Sequence, residues 1–206
     1  YKRFIGFDRL PANLKEWRVL PEENLAAATN GKVFRDFLGE FTAFRAGLQA
    51  FYPDDIRLKK IAARCMVIAQ AGQYNYPRCI RRGERVAATY AEAQFAYNVI
   101  SMVFLFNRRY KPFYKWMHRA MRELPVLGVQ IHELLSRLVG HADEESLCRS
   151  SEAKADLIED ICRLLVQELK NQGLSDSGSS FLLDHGPLVH MKIHDDYLRE
   201  QNIWLE

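Results

Sequence analysis

The segment Val99–Phe106 constrains the fold more than any other part of the chain, because it is apolar on every side. It ends a predicted helix that runs from Glu84 to about Asn107. A helix that is apolar all round must be surrounded by protein or by lipid. The run is too short to cross a membrane and stops at Asn107 and Arg108. We therefore predict that this helix is the central helix of a bundle.

Other helices are predicted from apolar residues at helical spacing, with proline or serine at helix starts and glycine at helix ends. A chain of 206 residues that is 48% apolar is long enough to form one good core. The sequence predicts a mostly α-helical bundle. The predicted ranges are Phe41–Phe51, Pro53 to Gly72 or Arg82, Pro112–Glu123, Pro125–Val139, Ser150 to Gly173, and Pro187–Arg199.

The first forty residues have a different residue pattern from the rest of the chain. Short helices are predicted from Pro11 to Trp17 and from Pro21 to Ala28, followed by alternation typical of a strand at Lys32–Asp36. One strand cannot satisfy its own backbone hydrogen bonds, so its partner would lie elsewhere. We predict that residues 1–40 are the end of a small α/β unit and that residues 41–206 form the helical bundle.

The positive charge of this chain is concentrated in its middle. Between Arg57 and Arg122 there are 14 Lys and Arg residues and only 2 acids, whereas the remainder has 15 Lys and Arg and 24 acids. The overall charge of +3 conceals this segregation. A basic middle segment indicates an anionic partner.

Two blocks in the basic segment combine amides, aromatic rings and cations. In the first, Gln73, Tyr74 and Arg78 surround Pro77, and the second runs from Phe106 to Trp116. An antiparallel hairpin turning at Gly83 would place the blocks at different positions along the bundle. From the second block we predict nucleotide or phosphate binding, in which Arg and Lys hold the anion and aromatic rings stack on a base or sugar. The candidate residues are Asn107, Arg108, Tyr110, Lys111, Lys115 and Trp116, with Gln73, Tyr74 and Arg78 beside them.

Structural interpretations of both blocks stay open at this point. Asn107 could cap a helix that is followed by a proline turn, with solvated cations around core Phe113 and Trp116. The first block could be a hydrogen-bonded kink around Pro77.

Metal and catalytic motifs are weak in this sequence. His190 and His194 share a helix face with Asp195 and Asp196, but no third ligand of suitable spacing follows, so a polar terminal helix is the favoured interpretation. Asp54 and Asp55 are typical of a helix start. Phosphate-binding loops, dinucleotide fingerprints and nucleophile elbows are missing from the sequence. We predict no metal ligand and no catalytic residue in this chain.

The cysteines Cys65, Cys79, Cys148 and Cys162 match no zinc or redox spacing. We interpret them as reduced structural residues of a cytoplasmic protein, with no membrane partner.

Several segments together resemble a bacterial domain of unknown function, number 4037 in its series. The resemblance covers about Trp17 to Leu127 and is specific only in combination. Its segments are Leu20–Ala26, Thr29–Asp36, Tyr52–Arg57, Gln73–Asn75 with Arg78, Arg82–Glu84, and Asn107–Pro112 with Lys115 and Trp116.

The resemblance implies a helical domain that follows a nucleotidyltransferase domain related to aminoglycoside-modifying enzymes. That upstream domain would carry a Gly-Ser motif and paired aspartates for Mg²⁺, with a nucleoside triphosphate as co-substrate. In this chain Gly178 and Ser179 are not followed by such aspartates. Whether the parent protein is an enzyme is therefore open, and this chain is not expected to catalyse transfer alone or to hold a cofactor itself.

We expect an accessory helical domain that forms one wall of a nucleotide or substrate cleft, with the upstream domain as its partner. The alternative is a basic helical module that binds RNA or an acidic protein. A third possibility is that the basic face docks the upstream domain.

Overall fold

The computed structural model describes residues 2–140 and 147–206 and confirms a mostly α-helical bundle. Across those residues there is no β-strand. The α-helices are α1 (Lys2–Ile5), α2 (Leu14–Arg18), α3 (Glu22–Thr29), α4 (Glu40–Gln49), α5 (Asp54–Ile68), α6 (Tyr76–Arg81), α7 (Arg85–Phe106), α8 (Tyr114–Met121), α9 (Gly128–Val139), α10 (Leu147–Asn171), α11 (His185–His190) and α12 (Asp196–Glu200).

The long helix α7 is the centre of the bundle, as its sequence predicted. Phe95, Val99, Met102 and Val103 are fully buried, and every residue from Asn98 to Phe106 is buried. Helices α5, α6, α8 and α9 all pack against it. A helix that is covered on all sides needs no polar face, and this explains why the run is apolar all round.

Helix α5 continues without a break through a π-helical segment, Ala69–Asn75, into α6. The chain then turns at Gly83, which has a positive φ of 73°, and returns as α7. Pro77 lacks an N–H, and its ring would crowd the carbonyl four residues earlier in a regular α-helix. The wider π turn just before it accommodates this crowding, so the predicted kink takes the form of a π segment.

The close approach of the two long helices depends on Gly72. A Cβ atom at this position would lie 2.3 Å from the ring of Phe95 and 3.0 Å from Ile158 of α10. Helix α10 therefore covers this side of the hairpin, and the opposite side is left for other elements.

The strand predicted at Lys32–Asp36 is wrong. These residues form an extended loop between α3 and α4 with no strand pairing. Phe34, Phe37 and Leu38 are 94%, 80% and 82% exposed, so the alternation of the segment has no sheet to face. The helix predicted at Pro187–Arg199 is also divided, because residues 191–195 separate α11 from α12.

Within the described part of the chain, no helix is long and apolar enough to cross a membrane. Cys65 and Cys162 are buried free thiols, and Cys79 is a half-buried one. Burial raises the pKa of the Cys65 and Cys162 thiols. The side chain of Cys148 lies outside the described residues.

Candidate anion-binding site

The block that follows α7 is divided by the structure into an inward half and an outward half. Tyr110 and Lys111 are buried, with 8% and 2% exposure, whereas Arg108, Lys115 and Trp116 are exposed. The chain leaves α7 through Arg108, whose φ of 50° reverses its direction. The six residues predicted from this block therefore do not form one site.

Tyr110 belongs to an aromatic cluster in the core. Its ring centroid lies 4.9 Å from that of Phe51 and 5.0 Å from that of Tyr52, and its hydroxyl donates to the Leu48 carbonyl at 2.8 Å. Burial raises the pKa of this hydroxyl. Both the ring and the hydroxyl are already engaged, so the stacking of Tyr110 on a base is not available in this structure.

Lys111 is the buried cation of this block. Its Nζ lies 4.5 Å from the centroid of the Tyr97 ring. Among residues 2–140 and 147–206 no carboxylate lies within ion-pair distance of it. A buried ammonium group without a counter-ion is costly, even when an aromatic face offsets part of the cost.

Two further buried cations, Lys60 and Arg64, lie one turn apart on α5 with 4% and 7% exposure. Their nearest buried acid is Glu22 of α3, whose Oε1 is 3.7 Å from Lys60 and 3.9 Å from Arg64. Burial lowers the pKa of Lys60, the positive neighbours Arg64 and Lys111 lower it further, and Glu22 opposes them. Lys60, Arg64 and Lys111 thus form a cation cluster, a name we keep for these three residues.

Ser101 links this cluster to the central helix. It is fully buried, accepts a hydrogen bond from Arg64 Nε at 2.9 Å and donates to Glu22 Oε2 at 3.2 Å. The Ser101 hydroxyl is the one polar side-chain group in the stretch Val99–Phe106. It fixes the guanidinium and the carboxylate at the same time.

Within residues 2–140 and 147–206, two polar atoms around the cluster have no hydrogen-bond partner. They are Glu22 Oε1 and the hydroxyl of Tyr52, both buried. The Lys60 Nζ lies 5.3 Å from the centroid of the Tyr52 ring, which places this residue beside the cluster. Burial, with Glu22 as the next cause, raises the pKa of the Tyr52 hydroxyl, which is therefore a neutral donor. The Tyr52 hydroxyl could donate to an anion, whereas the Glu22 oxygen is an acceptor and is balanced by the two cations near it.

Glu206 supplies a second carboxylate to the cluster. Its Oε2 accepts from Arg64 Nη2 at 2.9 Å and from Lys60 Nζ at 3.2 Å, and its Oε1 contacts Arg64 Nη1. Its side chain remains 28% exposed, in contrast to 6% for Glu22. The cluster is therefore least covered where Glu206 contacts it.

Lys59, next to Lys60, binds the backbone of residues 201–202, in the segment that carries Glu206. Its Nζ donates to the carbonyls of Gln201 and Asn202, each at 2.9 Å, and lies 3.0 Å from His190 Nε2. All three ammonium protons are used, so Lys59 is structural. Desolvation, with Arg18 as a second cause, lowers its pKa to about 8.

Of the remaining residues of the second block, two have protein partners and two are exposed. Asn107 pairs with the backbone of Val126, donating to its carbonyl and accepting from its N–H, each at 2.9 Å. Arg108 forms an ion pair with Asp54 at 2.8 Å. Lys115 lies 5.7 Å from the ring of Trp116, which is 54% exposed, so these two are free to meet a ligand at the surface.

The first block is mostly structural. The Gln73 amide donates to Glu159 at 2.8 Å and to the Ser180 carbonyl at 3.1 Å, and accepts from the Leu182 N–H at 3.0 Å. It therefore fixes the loop 180–182 on the π segment. Tyr74, which is 49% exposed, hydrogen-bonds to Arg78. Gln73 follows Arg64 by nine residues along the continuous helix, so this block lies further along the hairpin than the cation cluster.

Other cations and acids of the basic segment stabilise the fold. Arg57 donates to the Leu105 carbonyl at 2.9 Å and to Gln172, and so satisfies the end of α7. Desolvation, strengthened by Arg108, lowers its pKa to about 10. Asp55 accepts from the backbone of His194 and Asp195. No group of three or more metal-ligating side chains occurs in the ranges that the structure describes.

No sequence pattern directly indicated that one site contains these five residues: Glu22, Tyr52, Arg64, Ser101 and Glu206. One signal was present, since Lys60 and Arg64 are four apart on a helix whose other residues are largely apolar. The partners are far apart in the chain, and only the tertiary structure joins them.

The family comparison covers the region that contains the cluster. Residues 17–117 match the model of a domain of unknown function, DUF4037. The resemblance found in the sequence is therefore confirmed for that domain. All three cations, with Glu22, Tyr52 and Ser101, lie within the matched residues, whereas Glu206 lies outside them. No curated protein and no solved structure matches this chain.

Proposed function

We propose that this helical domain binds the phosphate of a nucleotide, or of another small anionic ligand, at the cation cluster. In this proposal it is an accessory domain of a cytoplasmic, bacterial, nucleotidyltransferase-like protein, forms one wall of the substrate cleft and is not catalytic alone. Mg²⁺ and a nucleoside triphosphate would be handled by the parent protein's upstream domain.

One observation carries the proposal: Lys60, Arg64 and Lys111 are buried together, and Lys111 has no carboxylate partner in the described chain. Burying a charged group away from water costs several kcal/mol. A counter-charge at hydrogen-bond distance is needed to offset that cost. An incoming phosphate would supply that counter-charge. The Tyr52 hydroxyl, which has no partner in the part of the chain that the structure describes, is a neutral donor beside the cluster.

Phosphate fits the arrangement better than a single carboxylate does. Arg64 offers forked donors, while Lys60 and Lys111 approach as point charges from two separate elements. A phosphate has several oxygens that these donors can share. Glu206 already contacts both Nη atoms of Arg64, and Ser101 accepts from its Nε. A phosphate would therefore take the place of the Glu206 carboxylate at Arg64 and accept further hydrogen bonds from Lys60 and Lys111.

The test is calorimetric binding of inorganic pyrophosphate to the wild type and to Lys111→Gln. A charge-assisted hydrogen bond contributes about 1.5–3 kcal/mol, so the variant should bind about 10- to 150-fold more weakly. Lys115→Gln is the matched control, because it removes the same charge from the exposed half of the same block. Equal affinities for wild type and Lys111→Gln would refute the proposal.

The alternative partner, RNA, is favoured by the exposed half of the block. Arg108, Arg109, Lys115 and Trp116 present cations beside an exposed ring. The two functions differ in their response to salt, because a long polyanion releases many counter-ions and a small ligand few. A steep loss of affinity with salt that depends on Lys115, and not on Lys111, would favour RNA.

The proposed upstream domain would need a contact surface on this chain. Phe34, Phe37 and Leu38 form an exposed apolar loop just after α3, and the extended backbone of 32–36 has no strand partner in the described chain. We propose this loop as the contact with the upstream domain of the parent protein. Phe37→Asp should weaken association of the two domains, when they are produced separately, without changing pyrophosphate binding here.

A further inference from the structure

A cleft of about 360 Å³ lies between the π segment and α7, and none of the three residues of the cation cluster lines it. Ala71 and Ala91, which are 7% and 6% exposed, are buried at its base. Side-chain amides of Gln70, Asn75 and Gln94 also line it, and none of its lining residues in the described chain is charged. The volume is within the range of about 300–1,000 Å³ that small-molecule sites occupy.

The amides in this cleft are available for binding. Gln94 hydrogen-bonds weakly to Tyr90 at 3.4 Å. The side chains of Gln70 and Asn75 hydrogen-bond to no other residue of the described ranges. An amide offers both a donor and an acceptor. The cleft therefore suits an uncharged group that carries donors and acceptors over an apolar base.

The cleft and the cation cluster lie on the same face of the helical hairpin. On α5 and its continuation, Lys60, Arg64, Val67 and Ala71 follow one another at spacings of four, three and four residues. Residues at such spacings share one helix face. Gly72, which faces Phe95 of α7 and Ile158 of α10, comes directly after Ala71 and so lies on a neighbouring face of the helix.

Helix α7 repeats the same pattern in the opposite direction. Ser101, which contacts the cluster, is followed towards the N-terminus of α7 by Tyr97, Gln94 and Tyr90 at spacings of four, three and four residues, and the last two line the cleft. Tyr97 lies between the two sites, with the Lys111 Nζ over its ring. Seven residues separate Arg64 from Ala71, which corresponds to about 10 Å of helix.

We infer that the two sites hold the two ends of one ligand, a nucleoside phosphate. Its phosphate would lie at the cation cluster, and its uncharged, hydrogen-bonding base and sugar would lie in the cleft. This inference rests on the proposed function, and it assigns the nucleoside end to a cleft of whose lining residues only Asn75 lies in a block that the sequence singled out. It also gives the π segment a role, because the wider turn sets Gln70, Ala71 and Asn75 along the cleft.

The experiment compares inorganic phosphate with the four common nucleoside monophosphates by calorimetry. The wild type should bind at least one nucleoside monophosphate about 10-fold or more tightly than phosphate, since the body of the ligand adds contacts. Ala91→Leu and Ala87→Leu should reduce that affinity towards the value for phosphate and leave phosphate binding unchanged. Ala87 is exposed at the cleft, so its variant does not disturb the core.

Ala93→Leu is the matched control, since Ala93 is exposed on the same helix and does not line the cleft. Lys111→Gln should weaken both kinds of ligand. The inference is overturned if no nucleoside monophosphate binds more tightly than phosphate, or if both cleft variants leave nucleotide affinity unchanged. The proposed function fails separately, if Lys111→Gln leaves phosphate binding unchanged.

Discussion

Glu206 is the residue at which the binding proposal can be tested most directly. Its carboxylate lies on Lys60 and Arg64, where the phosphate of a ligand would also be attracted. A ligand must displace this carboxylate or share the cations with it. Replacing Glu206 with Gln removes the competing charge and keeps the size of the side chain.

The size of the effect follows from the contacts. Hydrogen bonds between charged groups contribute about 1.5–3 kcal/mol, and the side chain of Glu206 is 28% exposed, so solvent screening reduces the value. We therefore expect about 1–2 kcal/mol. Pyrophosphate should bind the Glu206→Gln protein about 5- to 30-fold more tightly than it binds the wild type.

The same substitution should destabilise the protein without ligand. Lys60 and Arg64 would keep only Glu22 as a full counter-charge in the described chain, so the unfolding free energy should fall by a similar amount. For a chain of 206 residues this corresponds to about 2–8 °C in Tm. Added pyrophosphate should raise Tm more in the variant than in the wild type.

Calorimetry and thermal unfolding measure both effects. Glu200→Gln is the control, because Glu200 is exposed on α12 and changes the net charge equally. If Glu206→Gln lowers Tm but leaves pyrophosphate affinity unchanged, Glu206 is only structural and the anion does not bind at these cations. Weaker binding in the variant would contradict the reasoning more strongly.

Three further predictions concern the surroundings of the cluster. Ser101→Ala should lower the unfolding free energy by about 1–3 kcal/mol in urea, because Arg64 and Glu22 both lose a buried partner. Asn107→Ala should cost a similar amount through its lost pairing with Val126, while exposed Arg108→Ala should stay within about 0.5 kcal/mol, and comparable losses would contradict this division. Burial, and secondly the positive charge of Lys59, lowers the pKa of His190 below 6.5. The unfolded chain therefore binds the proton more readily than the folded chain does. The free energy of unfolding should fall as the pH decreases below that value. The slope should be smaller in His190→Gln, and His132, whose pKa is also lowered by burial, should account for part of what is left.

The helices were predictable because their signals are local. The apolar run of α7, the acids after Pro53, and Gly83 at the turn were each interpreted correctly from short stretches of sequence. The strand at 32–36 failed because alternation is an equally local signal, whereas a strand needs a partner. The division of the last helix follows from contacts of Asp55 and Arg199 with the backbone of 193–195.

The candidate site was predictable only as a basic segment. The sequence indicated a cation at Lys111 and an anionic partner, but it also offered Tyr110 as a ring for stacking and left open whether Gln73 binds a ligand or stabilises a kink. Both are occupied by core or loop contacts. Burial decides which cations are paired, and burial depends on which distant segments cover them.

The sequence by itself determined which segments are helical and where the positive charge is concentrated, since periodicity and composition act within a few turns. Only the tertiary structure decided which cations form a site. Of the 15 residues of α5, 12 are buried, because α7, α11 and residues 201–206 cover it from several sides. Glu22, Ser101, Lys111 and Glu206 meet Lys60 and Arg64 across long chain separations. Whether such charges have partners is therefore a property of the packed fold and not of any local pattern.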